Sequence, residues 1–150
     1  MEFIMRPIGE IHTSFIDKRD TPIQSSRSSA VGWVEVYPAY VDGLRDLGGF
    51  SHIILLYAFH RSYDECALRV TPFLDTEERG LFATRYPARP NPIGLSIVRL
   101  LSIHDHILEI EGADMLDGTP LLDIKPYVPE FDVRTDVRTG WYATRSVQEK

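Results

Sequence analysis

At 150 residues the chain is long enough to bury a core without disulfide staples, and one domain is the expected count. It is 43% apolar and 25% charged with a formal charge of −6, the balance of an ordinary soluble globule and an argument against a broad basic surface for nucleic acid. A single cysteine, Cys66, excludes an internal disulfide, the N-terminus lacks a signal-peptide core, and the longest apolar run (53–59) is too short to span a bilayer; a cytoplasmic protein with no membrane contact is expected.

The first alternating, partly β-branched stretch predicts a strand over residues 6–15. Residues 17–30 are polar, with Pro22 and four serines between Ser25 and Ser29, and read as a loop with room to move. Residues 30–36 alternate again through Val31, Val34 and Val36 and predict a second strand. Tyr40, Leu44 and Leu47 fall at helical spacing, so a helix is expected over 38–47, ended by Gly48-Gly49. Residues 51–60 are densely apolar and predict a strand buried on both faces.

Residues 61–80, broken by Pro72, read as irregular. Strands are predicted over 80–84, 95–103, 107–111 and 120–124, with Ser96, Val98 and Leu100 on one face of the second of these. His104-Asp105-His106 is the turn before the third, and residues 114–119 form another tight loop. The charged tail beyond 128 has Trp141 and Tyr142 as its large anchors. About seven short strands, one helix and no βαβ rhythm predict a mainly all-β fold, a small barrel or sandwich.

Residues 84–94, Thr-Arg-Tyr-Pro-Ala-Arg-Pro-Asn-Pro-Ile-Gly, hold three of the ten prolines and two arginines. Each proline fixes its φ and pushes the preceding residue to an extended conformation, so this is a stiff loop and not a helix interior or a central strand. Arg85 and Arg89 on such a loop make a pre-oriented anion or carboxylate clamp, or else two solvated surface arginines. The second polar cluster surrounds the last strand: Asp117, Asp123, Lys125 and Tyr127. Asp123 and Lys125 lie two apart and face one side, which gives either a local ion pair or an acid/base and positioning pair opposite the arginine loop. His60 ends the apolar strand beside Arg61, where it is either placed for chemistry or a satisfied boundary residue.

Nucleotide-binding Gly-x-Gly-x-x-Gly, P-loop and Gly-x-Ser-x-Gly signatures do not occur, and the Cys and His spacing offers no zinc site. His104 and His106 read as parts of a polar turn, so no metal is expected.

In combination these residues match a known pattern. The chain resembles the TsaA-like, or TrmO-type, tRNA methyltransferases through Arg6-Pro-Ile-Gly9, Gly49-Phe-Ser-His52 through Phe59-His60, Gly80-Leu-Phe-Ala-Thr-Arg85, Arg89-Pro-Asn-Pro-Ile-Gly94, and Asp117-Gly-Thr-Pro120 followed by Asp123-Ile-Lys-Pro-Tyr127. These pieces keep the family's order and span residues 6–132, leaving 133–150 as a tail. The resemblance implies a small β-barrel that dimerises, S-adenosylmethionine bound near the dimer interface, and methylation of N6 of N6-threonylcarbamoyladenosine beside the anticodon of tRNA.

Carried over by position, the family's cofactor contacts fall on Pro22, Gln24, His60, Arg61, Arg85, Leu95 and the loop Met115, Leu116, Asp117 and Gly118. Two departures stand out: Ile23 replaces an arginine common in the family, and the chain stops near residue 150 without the C-terminal extension of many bacterial members. The acceptor nitrogen is urea-like and a poor nucleophile, so a base is needed, for which Asp117 and Asp123 are the candidates; Lys125 and Tyr127 are placed to assist, and Arg89 to hold the threonyl carboxylate. A homodimer is expected, because Val34, Leu55, Tyr57 and Phe59 ask for cover. Two alternatives stand beside this reading: the same cofactor with a different acceptor, and a non-catalytic S-adenosylmethionine-binding module.

Overall fold

The structure, a computed structural model, describes residues 1–17, 19, 21–22, 28–61, 65–73 and 75–146, the side chains of 145 and 146 excepted. Six antiparallel strands close a barrel in the order β1 (Gly9–His12), β2 (Val31–Val36), β7 (Ile107–Glu111), β6 (Ile93–His104), β3 (His52–Ala58) and β8 (Thr119–Pro126), which returns to β1. β4 (Arg69–Val70) and β5 (Arg79–Gly80) form a separate two-stranded ribbon. Alternation along each strand sends one row of side chains inward. Ile11, Val34, Val36, Ile53, Leu55, Tyr57, Val98, Leu108, Ile110 and Leu121 fill the interior. Closure leaves no open edge among these six strands.

The apolar run of β3 alternates too: Ile53, Leu55 and Tyr57 are buried, whereas Ile54, Leu56 and Ala58 are only half-buried on the outer face. The expectation of burial on both faces is corrected, because a barrel strand has one interior face and the described residues cover the other only in part. The apolar residues expected to need a second copy for cover are corrected as well. Val34, Leu55 and Tyr57 have 0%, 0% and 4% of their surface exposed and are covered by the barrel itself, and Phe59 packs against the same core.

Two further elements differ from expectation. Residues 38–49 form no α-helix but a 3₁₀ segment Pro38–Leu44 and a second, Leu47–Gly49, separated by Asp46 in the left-handed region at φ 71°. Gly43 and Asp42 are poor helix interior residues, and of the three spaced apolar residues only Leu47 is buried, so no wide apolar stripe holds a regular helix there. The strand expected over 80–84 is the two-residue β5 followed by a 3₁₀ turn, Leu81–Ala83, closed by bonds from Thr84 N and Oγ1 to Leu81 O at 3.0 and 2.7 Å. Two short helices follow the barrel, α1 (Pro129–Asp132) and α2 (Ala143–Ser146). The tail is anchored at Trp141, whose Nε1 donates to Ala83 O at 2.7 Å under the Arg79 guanidinium. No helix among the described residues is long and apolar enough to cross a membrane. Half of the residues on which the reading of 17–30 as a mobile loop falls, 18, 20 and 23–27, lie outside the described set.

Gly94 is where chain and core meet most tightly. A Cβ there would overlap the Tyr57 ring and come within 2.9 Å of Phe59. The stiff proline loop therefore enters β6 at a position that only glycine fits.

Candidate active site

The barrel has two poles. At one, β1, β3 and β7 end while β2, β6 and β8 begin; the described residues of the segments that join or leave the strands there are 13–17, 19, 21–22, 28–30, 59–61, 84–92 and 112–118. His60, Arg61, Arg85, Met115, Leu116, Asp117 and Gly118 all belong to these loops, as does Pro22, half-buried; the expected cofactor contact Gln24 lies outside the described residues.

The loop 114–118 is pinned in place. Thr13 Oγ1 donates to Met115 O at 2.8 Å, Asp117 N to Phe15 O at 2.7 Å, Gly118 N to Ile11 O at 2.9 Å, and Thr119 Oγ1 to Leu116 O at 2.6 Å. Gly118 takes φ 81°, the left-handed conformation that lets the chain turn into β8. The Asp117 carboxylate accepts from Thr13 N at 3.1 Å and lies 3.5 Å from His12 Nδ1, while His12 Nε2 meets Glu35 at 3.3 Å and its ring stacks on Trp33. Asp117 is thus held by β1 and its imidazole.

His60 sits half-buried, and burial pushes its imidazole below the ordinary value of 6.5; the Arg61 charge pushes the same way, and Glu10 partly opposes both. At neutral pH this ring is uncharged and can accept a proton or a hydrogen bond. Arg61 itself donates from Nη1 to Ile16 O at 2.9 Å, joining the loops that follow β3 and β1.

The arginine loop divides its two guanidiniums. Arg89 braces its own loop, donating from Nη1 to Thr84 O at 2.9 Å and Tyr86 O at 3.0 Å, with the guanidinium 6.0 Å from the Phe82 ring centroid. Arg85 is exposed, and its charge reaches the buried Tyr57 phenol and favours the ionised form. The expected pair of equivalent clamp residues is therefore one brace and one exposed cation.

The remaining predicted residues stand elsewhere. Asp123 and Lys125 are on the outer face of β8, paired at 2.9 Å, and the pairing raises the Lys125 amine above its ordinary value. The ion-pair alternative is realised. A register shift between Leu56 and Tyr57 turns this part of β8, so that Ile124 faces Leu55 while Asp123 lies beside Leu56. On the other side of Leu56 stands Leu95, so the residue assigned to the cofactor and the candidate base flank one leucine on the outer face. Tyr127 is at the opposite pole, its N–H donating to His52 O at 3.1 Å and its ring edge-on to His52. From Thr119 to Asp123 is four strand residues, about 13 Å. Asp117 lies with the loop residues at the first pole; Asp123, Lys125 and Tyr127 do not.

One group at the first pole escaped the sequence reading. Tyr57 Oη lies 2.8 Å from Ser96 Oγ, and Ser96 Oγ donates to Asp114 Oδ1 at 2.6 Å. Ser96 is 2% exposed inside an apolar barrel. That is the signal which could have found it: a hydroxyl on the inward face of a strand must be paired, and its partners are then sought among polar residues at the strand's end. Among the described residues no cluster of His, Cys, Asp and Glu is arranged to hold a metal.

Residues 10–133 match the family model of the tRNA-methyltransferase O N-terminal domain. A probable S-adenosyl-L-methionine-binding protein of Pyrococcus abyssi is 57% identical over 137 residues, covering 91% of this chain and 74% of that one. The human tRNA (adenine(37)-N6)-methyltransferase is 35% identical over 136 residues, 86% of this chain but 31% of the human one. The crystal structure of TrmO from Pseudomonas aeruginosa superposes with a TM-score of 0.80 at 40% identity, over 93% of this chain and 62% of that chain. The chain therefore spans less than two thirds of the crystallised protein and about a third of the human one, and it belongs to the tRNA-methyltransferase O N-terminal domain family.

Proposed function

We propose that this protein is an S-adenosylmethionine-dependent tRNA methyltransferase that acts on N6 of N6-threonylcarbamoyladenosine, as a cytoplasmic homodimer. Family membership over residues 10–133 is the observation that carries the reading. The donor set at the first pole fits the cofactor. S-adenosylmethionine presents a carboxylate, an ammonium, a sulfonium and ribose hydroxyls; the pole offers the guanidiniums of Arg61 and Arg85, the carboxylates of Asp114 and Asp117, and the neutral imidazole of His60. Bound there, the cofactor supplies an electrophilic methyl group.

The protein's part is orientation and proton removal. Methyl transfer is an in-line displacement, for which a stiff frame supplies much of the rate. The proline loop, fixed at Gly94 and braced by Arg89, and the pinned loop 114–118 are such a frame. Of the two candidate bases, Asp117 is favoured because it stands among the loops of the first pole, next to His12, which can pass a proton to Glu35 and solvent. Arg89, locked by its two carbonyl bonds, remains the group for the threonyl carboxylate.

The test is mass spectrometry of tRNA nucleosides from cells lacking the gene, with methyl transfer by purified protein restoring the product. Loss of N6-methyl-N6-threonylcarbamoyladenosine supports the reading; an unchanged nucleoside profile overturns it. The binding-module alternative draws on the names of the archaeal relatives, which mention binding alone. Cofactor binding without turnover on any tRNA fraction would favour it.

A further inference from the structure

Three of the described carboxylates at the first pole, Glu10, Asp114 and Asp117, differ in their surroundings. Glu10 lies on β1 between the inward-facing Gly9 and Ile11, and its charge acts on His60. Asp117 is engaged by Thr13 N and His12 on the side of β1. Asp114 is different in kind, because it is oriented from inside the barrel. Ser96 Oγ donates its one proton to Asp114 Oδ1 at 2.6 Å, which leaves the hydroxyl oxygen to accept from the Tyr57 phenol at 2.8 Å. Both Ser96 and Tyr57 are buried, at 2% and 4% exposure, and Tyr57 is wedged against Gly94. The chain of hydrogen bonds therefore starts at buried, tightly packed side chains of the core and ends on a half-buried carboxylate at the head of the loop 114–118.

Burial raises the Tyr57 phenol above its ordinary value, the Asp114 carboxylate raises it further, and Arg85 works against both. One buried phenol thus feels an anion and a cation that flank the same pole. That is the complement of a zwitterionic ligand bearing a carboxylate and a fixed positive charge.

Resting on the methyltransferase reading above, we propose that Asp114, held in position by Ser96 and Tyr57, is the carboxylate that recognises the sulfonium of the cofactor and so distinguishes S-adenosylmethionine from the spent thioether. The sulfonium is a permanent cation, and methyl transfer turns it into a neutral sulfide while the acceptor nitrogen gains the methyl group and gives up its proton to the base. A carboxylate beside the sulfur favours the charged cofactor over the product, which helps the product leave. Ser96 and Tyr57 are positioning residues in this scheme.

The test is calorimetry with two probes, S-adenosylmethionine and S-adenosylhomocysteine, which share carboxylate, ammonium, ribose and adenine. Asp114→Asn should weaken S-adenosylmethionine about tenfold or more, the scale of one charged hydrogen bond, and leave S-adenosylhomocysteine within about threefold. Tyr57→Phe, which keeps the ring against Gly94, should lower the same ratio by a smaller factor, and it serves in place of Asp114→Asn should that variant not fold. Equal weakening of both ligands would overturn the assignment, because it would make Asp114 a scaffold of the loop or a partner of the shared ammonium. No change in either ligand would overturn it as well. Wild-type protein that binds neither probe would instead sink the methyltransferase reading, and this assignment with it.

Discussion

At the scale of single residues, geometry separates groups that the sequence left side by side. Asp117 and Asp123 are six positions apart and were equal candidates for the base, yet one stands at the pole among the loops and the other is ion-paired on the outer wall. Asp117→Asn is therefore expected to lose turnover in a methyl-transfer assay. Asp123→Asn is expected to give up a little stability and to keep its activity per folded molecule; an inactive, well-folded Asp123→Asn protein would reverse the assignment. His60 allows a direct measurement. Its folded value lies below 6.5, so the unfolded chain takes up the proton first as pH falls, and this group's contribution to stability is complete above 6.5 and declines below it. An NMR titration should place the His60 midpoint under that of a free histidine. Because burial outranks the Arg61 charge, Arg61→Ala should move the midpoint upward without restoring it to the free value. A midpoint at or above the ordinary histidine value would show the ring to be solvated or ion-paired.

At the scale of elements, the glycine that joins loop to barrel carries more weight than its neighbours. Gly94→Ala forces a methyl into the Tyr57 ring and toward Phe59, so a loss of roughly 1–3 kcal/mol is expected in urea denaturation, the range for overpacked cores. Gly49→Ala, with no atom within 4 Å, should change stability by less than about 0.5 kcal/mol; equal effects at the two sites would refute the packing argument. The sequence made the strands legible wherever one face is buried: β2, β6 and β7 were found within two residues, because alternation is a direct image of inside and outside. It failed where backbone geometry overrides pattern. Tyr40, Leu44 and Leu47 have helical spacing, but the left-handed Asp46 and Gly43 give two 3₁₀ turns. The stiffness of the proline loop was legible and the fate of its arginines was not, since whether Arg89 turns back on Thr84 and Tyr86 depends on where the chain folds beneath it. The Tyr57, Ser96 and Asp114 chain joins three elements far apart in sequence, and periodicity carries no information about such a meeting.

At the scale of the whole molecule, the closed barrel leaves an apolar outer face exposed on β3 and β6. Along β3 and β6, Leu56 stands beside Leu95, Ile54 beside Ile97 and Ala58 beside Ile93, and the β6 members keep 48%, 39% and 37% of their surface exposed. Arg99 and the Asp123–Lys125 pair border this patch, giving an apolar centre with a charged rim, the composition of a protein interface. A second copy of the chain is the occupant that covers it most economically, since two such faces meeting across a twofold axis bury each other. The homodimer proposed here thus rests on these outward residues and not on the buried ones that the sequence pointed to. Sedimentation should give twice the 17.1 kDa of one chain for the wild type at micromolar concentration. Ile97→Glu should give a single chain with a preserved cooperative melt, because the side chain faces away from the core. Leu95 is on this same face and is also a position assigned to the cofactor, so the interface and the site would share a border. The monomeric Ile97→Glu protein should then bind S-adenosylmethionine more weakly than the dimer, although residue 97 itself holds no assigned contact. A wild-type monomer at high micromolar concentration would remove the dimer, and full cofactor affinity in a monomeric variant would confine the site to the pole of one barrel.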